Sequence, residues 1–345
     1  MDALLRATYV TVITETRKIA QLIVFRFSHL RPTVSRLVDT RSFQTLPVRS
    51  TSKIDAPTSR LRDGNVIPKI GFGTGTAWYK DNVNDPINRE LIETLKDSLR
   101  EGFVHIDCAD SYGTEREVGI AIRESGISRD KLFITTKVLD GWADVPKAID
   151  ASLKRLQTEY VDLYLLHNPY VIGTTEGLQQ GWKGMEIVKE SGKARSIGVS
   201  NMQKRDIQAI LTIASEIPVI NQLEFHPYLQ RSDDFLPWMR SHGIGVSSFK
   251  SLAPITVAKG GPLDDILGSI AYTHGVTPSA VLLRWAMNQG VIPITTTGRR
   301  TRMEEYLTAL KLNLSSEEQE DITKVGLTHH FRWWGKNFFD VDDRS

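Results

Sequence analysis

Four side chains in this sequence have the chemical types needed to give a proton to a small oxygen atom: Asp107, Tyr112, Lys137 and His167. Asp107 lies within the apolar run 103–109, where an unpaired carboxylate is costly. Lys137 is a suitable partner, and a lysine ammonium beside a phenol lowers the pKa of that phenol from about 10. Tyr112 is then a general acid that works near neutral pH. Because His167 can hydrogen-bond the same oxygen, the set predicts proton donation by Tyr112.

The elements that must position these residues are short apolar runs that alternate with helical patterns. Eight such runs predict parallel strands joined by crossover helices, and eight is the number of strands that closes a barrel. The runs are apolar throughout, as expected for strands that are covered on both faces. The predicted strands are residues 69–74, 103–109, 132–138, 161–167, 194–200, 218–225, 244–249 and 291–295.

An open, doubly wound sheet is the alternative arrangement of alternating strands and helices. Such a sheet usually carries the fingerprint G-x-G-x-x-G after its first strand. The nearest match, GFGTG at residues 71–75, lacks that spacing and precedes no helical pattern. We therefore predict an α/β fold of the (β/α)8 TIM-barrel class, capped by an N-terminal β-hairpin around the turn Asp63-Gly64-Asn65. Chemistry in such barrels occurs at the carboxyl ends of the strands, which is where the four side chains lie.

Composition limits the classes of function that need to be considered. The net charge of the 345 residues is only +2, which gives no argument for nucleic acid as a partner. Cys108 is the one cysteine, so an internal disulfide is excluded. No apolar run reaches the ~18 residues of a membrane span. The eight histidines show no ligand spacing apart from the adjacent pair His329-His330, so we predict no metal site and set aside a metal-dependent hydrolase.

The N-terminal segment differs from the rest of the chain in its charge. Residues 1–53 contain nine Lys or Arg against three Asp or Glu, and the segment is also rich in Ser and Thr. This composition is typical of an organelle transit peptide, while a disordered extension or a mistaken gene start are the alternatives. We predict two parts, a basic extension at residues 1–56 and a barrel at residues 57–345. The expected location is the cytoplasm or the mitochondrion, and not outside the cell.

The sequence resembles the aldo-keto reductase superfamily in strings that run in order from residue 60 or so to the end. These strings are IPKIGFGTG, HIDCADSYGTEREVG, LFITTKV, VDLYLLHNP, GKARSIGVSN, NQLEFHP and LLRWAMNQGVIP. Two further strings, LRDGNVIPKIGFGTGTAWYK and VIPITTTGRR, are more similar to fungal-type members. The resemblance implies the barrel already predicted, and NADPH-dependent reduction of aldehydes, ketones or 2-keto acids to alcohols.

The resemblance also assigns roles to the four side chains. Tyr112 is implied to be the proton donor, and Lys137 to lower its pKa. Asp107 is implied to position Lys137, while His167 orients and polarises the substrate carbonyl. The alternative within the superfamily is a non-catalytic barrel subunit that senses a nucleotide and acts through a protein partner. The four intact side chains favour the enzyme, which we expect to be a monomer acting on a small-molecule carbonyl.

Residues that hold the cofactor are implied by the same resemblance. Phe249 replaces the usual tyrosine that stacks on the nicotinamide, and keeps the stacking face. The nicotinamide carboxamide is expected to bind Ser200, Asn201 and Gln222. The loop that crosses the pyrophosphate is expected to begin with Lys250, Ser251 and Leu252.

The end of the last strand departs from the family pattern. Ile294 stands where NADPH-preferring members usually have a lysine for the 2′-phosphate. Arg302 is expected to bind that phosphate, with Arg299 and Arg300 also within reach, and Glu305 to contact the adenine amino group. NADPH is therefore the expected cofactor, while use of NADH stays open.

The substrate pocket is expected to have aromatic walls and a C-terminal substrate loop. Besides His167, the wall residues are Trp78, Trp142 and Trp333, with Tyr79 and Tyr170 as further candidates. Arg332 in the C-terminal tail would suit a substrate carboxylate, which makes a 2-keto acid one expected substrate.

Overall fold

The computed structural model describes residues 56–232, 234–340 and 342–345. The predicted basic extension, apart from Ala56, lies outside these described residues. The predicted transit peptide therefore also lies outside them.

A β-hairpin comes first, as the Asp63-Gly64-Asn65 turn predicts. Its strands are β1 (Thr58–Arg60) and β2 (Val66–Pro68), which pair antiparallel. Gly64 takes φ +90°, a left-handed conformation that glycine adopts without strain. Leu61 and Ile67 are buried in one cluster with residues from the amino ends of the barrel strands, among them Phe133 and Ile220. The hairpin therefore caps the amino end of the barrel.

Eight parallel strands form a closed barrel, which confirms the (β/α)8 prediction. They run in chain order around the barrel, and the last pairs with the first through Ile294 and Gly71. Each lies within one of the eight predicted runs. They are β3 (Gly71–Gly73), β4 (His105–Asp107), β5 (Phe133–Val138), β6 (Val161–Leu166), β7 (Ala194–Ser200), β8 (Ile220–Glu224), β9 (Gly245–Phe249) and β10 (Val291–Thr295).

Helices cover the outside of the barrel and bury one face against it. In the first helix the buried residues include Leu91, Leu95 and Leu99, spaced as an amphipathic helix requires. The helices are α1 (Arg89–Glu101), α2 (Glu115–Ser125), α3 (Val145–Leu156), α4 (Pro169–Ile172), α5 (Thr175–Glu190), α6 (Lys204–Leu211), α7 (Phe235–Ser241), α8 (Ala253–Thr256), α9 (Asp264–His274), α10 (Pro278–Asn288), α11 (Arg300–Thr308) and α12 (Ser316–Leu327). No single helix of the described residues is long and apolar enough to span a membrane; α9 and α10 pass that test only as a pair bent by 96°.

The hairpin cap yields a prediction about stability. Replacing the fully buried Ile67 with alanine leaves a cavity under the barrel, so Ile67→Ala should lower the free energy of unfolding by about 2–5 kcal/mol. The neighbouring Val66 is 49% exposed, and Val66→Ala should stay within about 0.5 kcal/mol of the parent. Urea denaturation of both variants measures the difference. Equal losses would contradict a packed cap.

Candidate active site

Strands β4, β5 and β6 lie side by side and bring the four predicted residues to one rim of the barrel. Asp107 is the last residue of β4, Lys137 lies near the end of β5, and His167 follows β6 directly. Tyr112 ends a short 3-10 turn, Asp110–Tyr112, that follows β4. Parallel pairing places the carboxyl ends of all eight strands at this rim, which we call the mouth of the barrel.

Lys137 is the centre of the site. Its side chain is fully buried, and its Nζ lies 2.6 Å from Asp107 Oδ1, 2.9 Å from the carbonyl oxygen of Cys108 and 3.3 Å from Tyr112 Oη. An ammonium buried in this way requires a charged partner and hydrogen bonds, and here it has both. Lys137 therefore supplies the positive charge that compensates the buried carboxylate of Asp107.

The second oxygen of Asp107 accepts a hydrogen bond from an unexpected donor. Gln222 Nε2, from the opposite side of the barrel, lies 2.8 Å from Asp107 Oδ2. Thr74 holds the backbone of the same residue, with its amide nitrogen 2.9 Å from the Asp107 carbonyl oxygen. Asp107 is thus fixed from three strands, and Lys137 has little freedom to leave Tyr112.

The hydroxyl of Tyr112 faces Lys137, but its pKa is not lowered. Burial raises this pKa well above its usual value, and the negative charge of Asp107 adds to the effect. The predicted lowering is therefore wrong for this structure, because burial and the charge of Asp107 outweigh the ammonium of Lys137, which lies 3.3 Å from the hydroxyl. Tyr112 consequently keeps its proton at neutral pH, which is the form that a proton donor needs.

His167 is neutral in this environment. Burial, and then the charge of Lys137, lowers its pKa well below the usual value. Ser111 Oγ lies 3.4 Å from Nδ1, and Asn201 Nδ2 donates to the His167 carbonyl oxygen at 3.2 Å. A hydrogen bond from Ser111 to Nδ1 leaves the proton on Nε2, where it can be donated to a carbonyl. No sequence pattern indicated Ser111, because its approach to His167 depends on the fold of the 3-10 turn.

Asp110 is a further titrating group beside the four predicted residues, which we call the tetrad. Burial, followed by the charge of Glu115, raises its pKa to about 7, although the backbone N–H of Leu139 donates to its carboxyl group. Near neutral pH this side chain therefore brings only part of a negative charge to the mouth.

The three residues expected to bind the carboxamide lie together at the ends of β7 and β8. Ser200 Oγ donates to the Gln222 carbonyl oxygen at 2.9 Å, and Asn201 Nδ2 lies 3.1 Å from Ser200 Oγ. Asn201 Oδ1 is buried and has no hydrogen-bond partner among the described residues. A buried acceptor of this kind is costly unless a donor meets it, so the site fits the N–H groups of a nicotinamide carboxamide.

The predicted stacking residue and the loop after it occupy the end of β9. Phe249 is half-buried, and Lys250 takes φ +59°, which turns the chain so that the Ala253 N–H donates to the Lys250 carbonyl oxygen at 2.8 Å. Lys250 Nζ lies 3.8 Å from the centre of the Trp333 ring, and burial lowers the pKa of this lysine to about 8. Ser251 and Leu252 are buried, and Ser251 hydrogen-bonds Ser248.

Two of the residues expected at the adenosine phosphate lie on α11. Arg302 is exposed in the first turn of this helix, with Glu305 one turn later. Arg300 forms an ion pair with Glu101 of α1, and its contact with the phosphate stays a prediction. Ile294 is buried within β10. Arg302 makes no ion pair with any residue that the structure describes. Its guanidinium is therefore available to bind a phosphate group.

The three predicted tryptophan walls differ in their surroundings. Trp78 is 9% exposed, and its Nε1 donates to Thr296 Oγ1 at 3.2 Å, which ties the loop after β3 to the loop after β10. Trp142 begins a 3-10 turn and packs beside Gly177 of α5. Trp333 lies under Lys250. Tyr79 adds an edge-to-face contact to Tyr112, with ring centres 4.8 Å apart.

Arg332 is held in part by the C-terminal tail. It is buried, and its Nη2 donates to the carbonyl oxygens of Asp343 at 2.9 Å and Ser345 at 2.8 Å. Arg231 also binds the Ser345 carbonyl oxygen. Its Nε and Nη1 are buried without a hydrogen-bond partner among the described residues, so the binding of a substrate carboxylate by Arg332 stays a prediction.

The described residues thus form a closed barrel with an Asp–Tyr–Lys–His set at its mouth, which is the arrangement expected of an oxidoreductase of the TIM-barrel class. Residues 69–326 match the aldo/keto reductase family, and the chain belongs to that family.

Two fungal relatives match over most of their length. The NAD/NADP-dependent indole-3-acetaldehyde reductase of Schizosaccharomyces pombe is 37% identical, over 79% of this chain and 97% of the relative. The NADPH-dependent alpha-keto amide reductase of Saccharomyces cerevisiae is 35% identical, over 78% and 90%. Among solved structures, the Bombyx mori aldo-keto reductase in complex with NADP is 30% identical, with a TM-score of 0.70 over 78% of this chain and 92% of that chain.

Asp110 yields a prediction about pH. Between its usual pKa of 3.8 and its folded value of about 7, the folded protein binds more protons than the unfolded chain, so this group makes stability fall as the pH rises through that window. At about 1.4 kcal/mol per pKa unit the loss is at most on the order of 4 kcal/mol. The difference in free energy of unfolding between Asp110→Asn and the parent, measured by urea unfolding, should therefore shift in favour of the variant as the pH rises from 5 to 8. A difference that does not change with pH would contradict the buried carboxyl.

Proposed function

We propose that this chain reduces aldehydes and 2-oxo carbonyl compounds to alcohols with NADPH, and that Tyr112 is the proton donor. The observation that carries the proposal is the fully buried Lys137, which contacts both Asp107 and Tyr112. Such an arrangement holds a protonated phenol at a fixed place beside a neutral histidine. Carbonyl reduction with NAD(P)H is the reaction of the family to which the chain belongs.

The residues of the mouth divide the work on the substrate. His167, with its proton on Nε2, donates a hydrogen bond to the carbonyl oxygen and fixes its direction. When bound, NADPH would supply the hydride for the carbonyl carbon. Tyr112 then gives its proton to the oxygen, which completes the alcohol, and Lys137 stabilises the phenolate that remains. An alkoxide is a much stronger base than a phenolate, so a raised pKa of Tyr112 does not prevent this transfer.

The substrate class follows from the walls of the mouth. Trp78, Trp333 and Tyr79 supply aromatic faces, which favour a carbonyl carried by an apolar or aromatic group. The two fungal relatives are named for reduction of an indole acetaldehyde and of alpha-keto amides, which supports this choice. The alternative, a non-catalytic nucleotide-sensing subunit, has no support from these relatives, whose names are those of reductases.

The role of Tyr112 gives the first test of the function. Parent and Tyr112→Phe are mixed with NADPH and a panel of aldehydes, ketones, 2-keto acids and 2-keto amides, and cofactor oxidation is followed. Loss of the general acid should lower kcat by about 10²–10⁴-fold. Cofactor affinity, measured by fluorescence, should stay unchanged. Tight NADPH binding by a parent that reduces no carbonyl would overturn the proposal.

Arg302 gives a second test, directed at the choice of cofactor. If this guanidinium binds the 2′-phosphate, Arg302→Ala should weaken NADPH binding by about 10- to 150-fold, since a hydrogen bond to a charged group is worth about 1.5–3 kcal/mol. NADH lacks that phosphate, so its affinity should not change. Arg300→Ala is the matched comparison, because Arg300 is held by Glu101. Equal losses for both cofactors would mean that Arg302 acts only on the fold.

We also propose a monomer located in the mitochondrion or the cytoplasm. The tetrad and all residues expected to hold the cofactor come from one barrel, which supports a self-sufficient chain. The basic, acid-poor composition of residues 1–56 supports mitochondrial import. Light scattering of the purified chain tests the first point. A fluorescent protein fused to residues 1–56 tests the second, and a diffuse signal would favour the cytoplasm.

A further inference from the structure

Glu224, the last residue of β8, has a buried carboxylate that the proposed reaction does not use. Each of its oxygens accepts a backbone hydrogen bond from the C-terminal tail. The Trp333 N–H donates to Oε1 and the Trp334 N–H to Oε2, both at 2.7 Å. We call residues 332–339, which contain both tryptophans, the substrate loop. One carboxylate on the barrel thus holds two consecutive peptide groups of this loop, and we call this contact the clamp.

The carboxylate is in the charged form that such bonds require. Burial opposes ionisation, but hydrogen bonds from His226 and from the two peptide N–H groups outweigh it and lower the pKa of Glu224. His226 Nε2 lies 3.1 Å from Oε1. Hydrogen bonds to a charged acceptor are shorter and stronger than those between neutral groups. The contact is therefore a firm attachment of the loop to the barrel.

The attachment fixes two aromatic rings above the mouth. Glu224 pairs with Phe249 across strands β8 and β9, so the barrel itself sets the distance between the clamp and the stacking residue. The Trp334 ring stands edge-on to Phe249, with centres 6.5 Å apart, and lies 6.0 Å from the Tyr170 ring. Trp333 lies under Lys250. A shift of the two peptide groups would move both rings.

Other contacts also hold the loop, among them the stack of Phe338 on Tyr170, with ring centres 4.4 Å apart. Before it, the Phe331 N–H donates to the Tyr228 carbonyl oxygen at 3.2 Å. Arg332 is tied to the tail at Asp343 and Ser345. Among the described residues, Glu224 is the only side chain that binds the backbone of Trp333 and Trp334. The carboxylate therefore fixes the two peptide groups themselves, whereas the other contacts act on the rings and on the ends of the loop.

We infer that Glu224 is a positioning residue, which sets Trp333 and Trp334 as the upper wall of the pocket and so determines affinity for bulky carbonyl substrates. The inference rests on the proposed function, since it concerns substrates of the same site. A small aldehyde does not reach the upper wall, whereas an aryl aldehyde or aryl 2-oxo amide does. Loss of the clamp should thus affect KM for large substrates and leave the proton transfer at Tyr112 intact.

The test is Glu224→Gln. Glutamine keeps the length of the side chain but has only one acceptor oxygen. Its NH2 group, which is a donor, then faces one of the two peptide N–H donors. KM for an aryl aldehyde should rise about tenfold, in line with the loss of one hydrogen bond to a charged group, while kcat stays near the parent value. KM for a small aliphatic aldehyde should not change. Equal changes for both substrates, or none for the aryl aldehyde, would overturn the inference.

Asp162→Asn is the matched control. Asp162 is also buried and also accepts a backbone N–H, that of Ile134 at 2.9 Å, together with bonds from Arg129 and Arg195. It lies near the amino end of β6, at the opposite end of the barrel. This variant should lose stability and keep the parent KM for both aldehydes. The same KM pattern in both variants would mean a general effect on the fold and would overturn the inference.

Proteolysis tests the clamp without any substrate. Lys336 is exposed in the substrate loop, and trypsin cleaves after it when the loop detaches. Cleavage should be faster in Glu224→Gln and unchanged in Asp162→Asn; equal rates in all three proteins would overturn the clamp. A parent that reduces no carbonyl but shows faster cleavage in Glu224→Gln would reject the proposed function and retain the clamp. The two failures are thus distinguishable.

Discussion

The structure of the mouth depends on the ion pair between Lys137 and Asp107. Both charges are removed from water in the interior of a barrel, and removal of one partner from such a pair typically costs about 3–5 kcal/mol. The pair is tolerated because every strong acceptor and donor around it is used: Nζ by three oxygens, and the carboxylate by Lys137 and Gln222. The barrel is what brings these groups together from separate strands.

The same pair decides the protonation of its neighbours. Burial, with the negative charge of Asp107, outweighs the nearby ammonium of Lys137, so the pKa of Tyr112 is raised and the phenol stays protonated. The ammonium still acts on His167, where it adds to burial and keeps the imidazole neutral. The result is a mouth with two neutral donors around one compensated charge. That electrostatic state suits the donation of a proton to an oxygen that gains negative charge.

A second buried carboxylate, Glu224, organises the part of the mouth that the ion pair does not reach. The ion pair acts on the reacting oxygen, whereas Glu224 acts on the aromatic wall above it. The tail binds one nitrogen of the Arg332 guanidinium, and the ammonium of Lys250 lies on the ring of Trp333. The wall that Glu224 holds is thus built from aromatic rings.

The sequence by itself determined the barrel, its hairpin cap and the four residues of the tetrad. Apolar runs alternating with helical patterns carry the fold, and parallel strands place their carboxyl ends at one rim, so the convergence of Asp107, Lys137 and His167 follows from their positions along the chain. Only the tertiary structure decided the bond between Gln222 and Asp107, the pKa of Tyr112, and the partners of Arg300, Arg332 and Glu224. These depend on distances across the barrel and on competition between partners, and no local pattern encodes either.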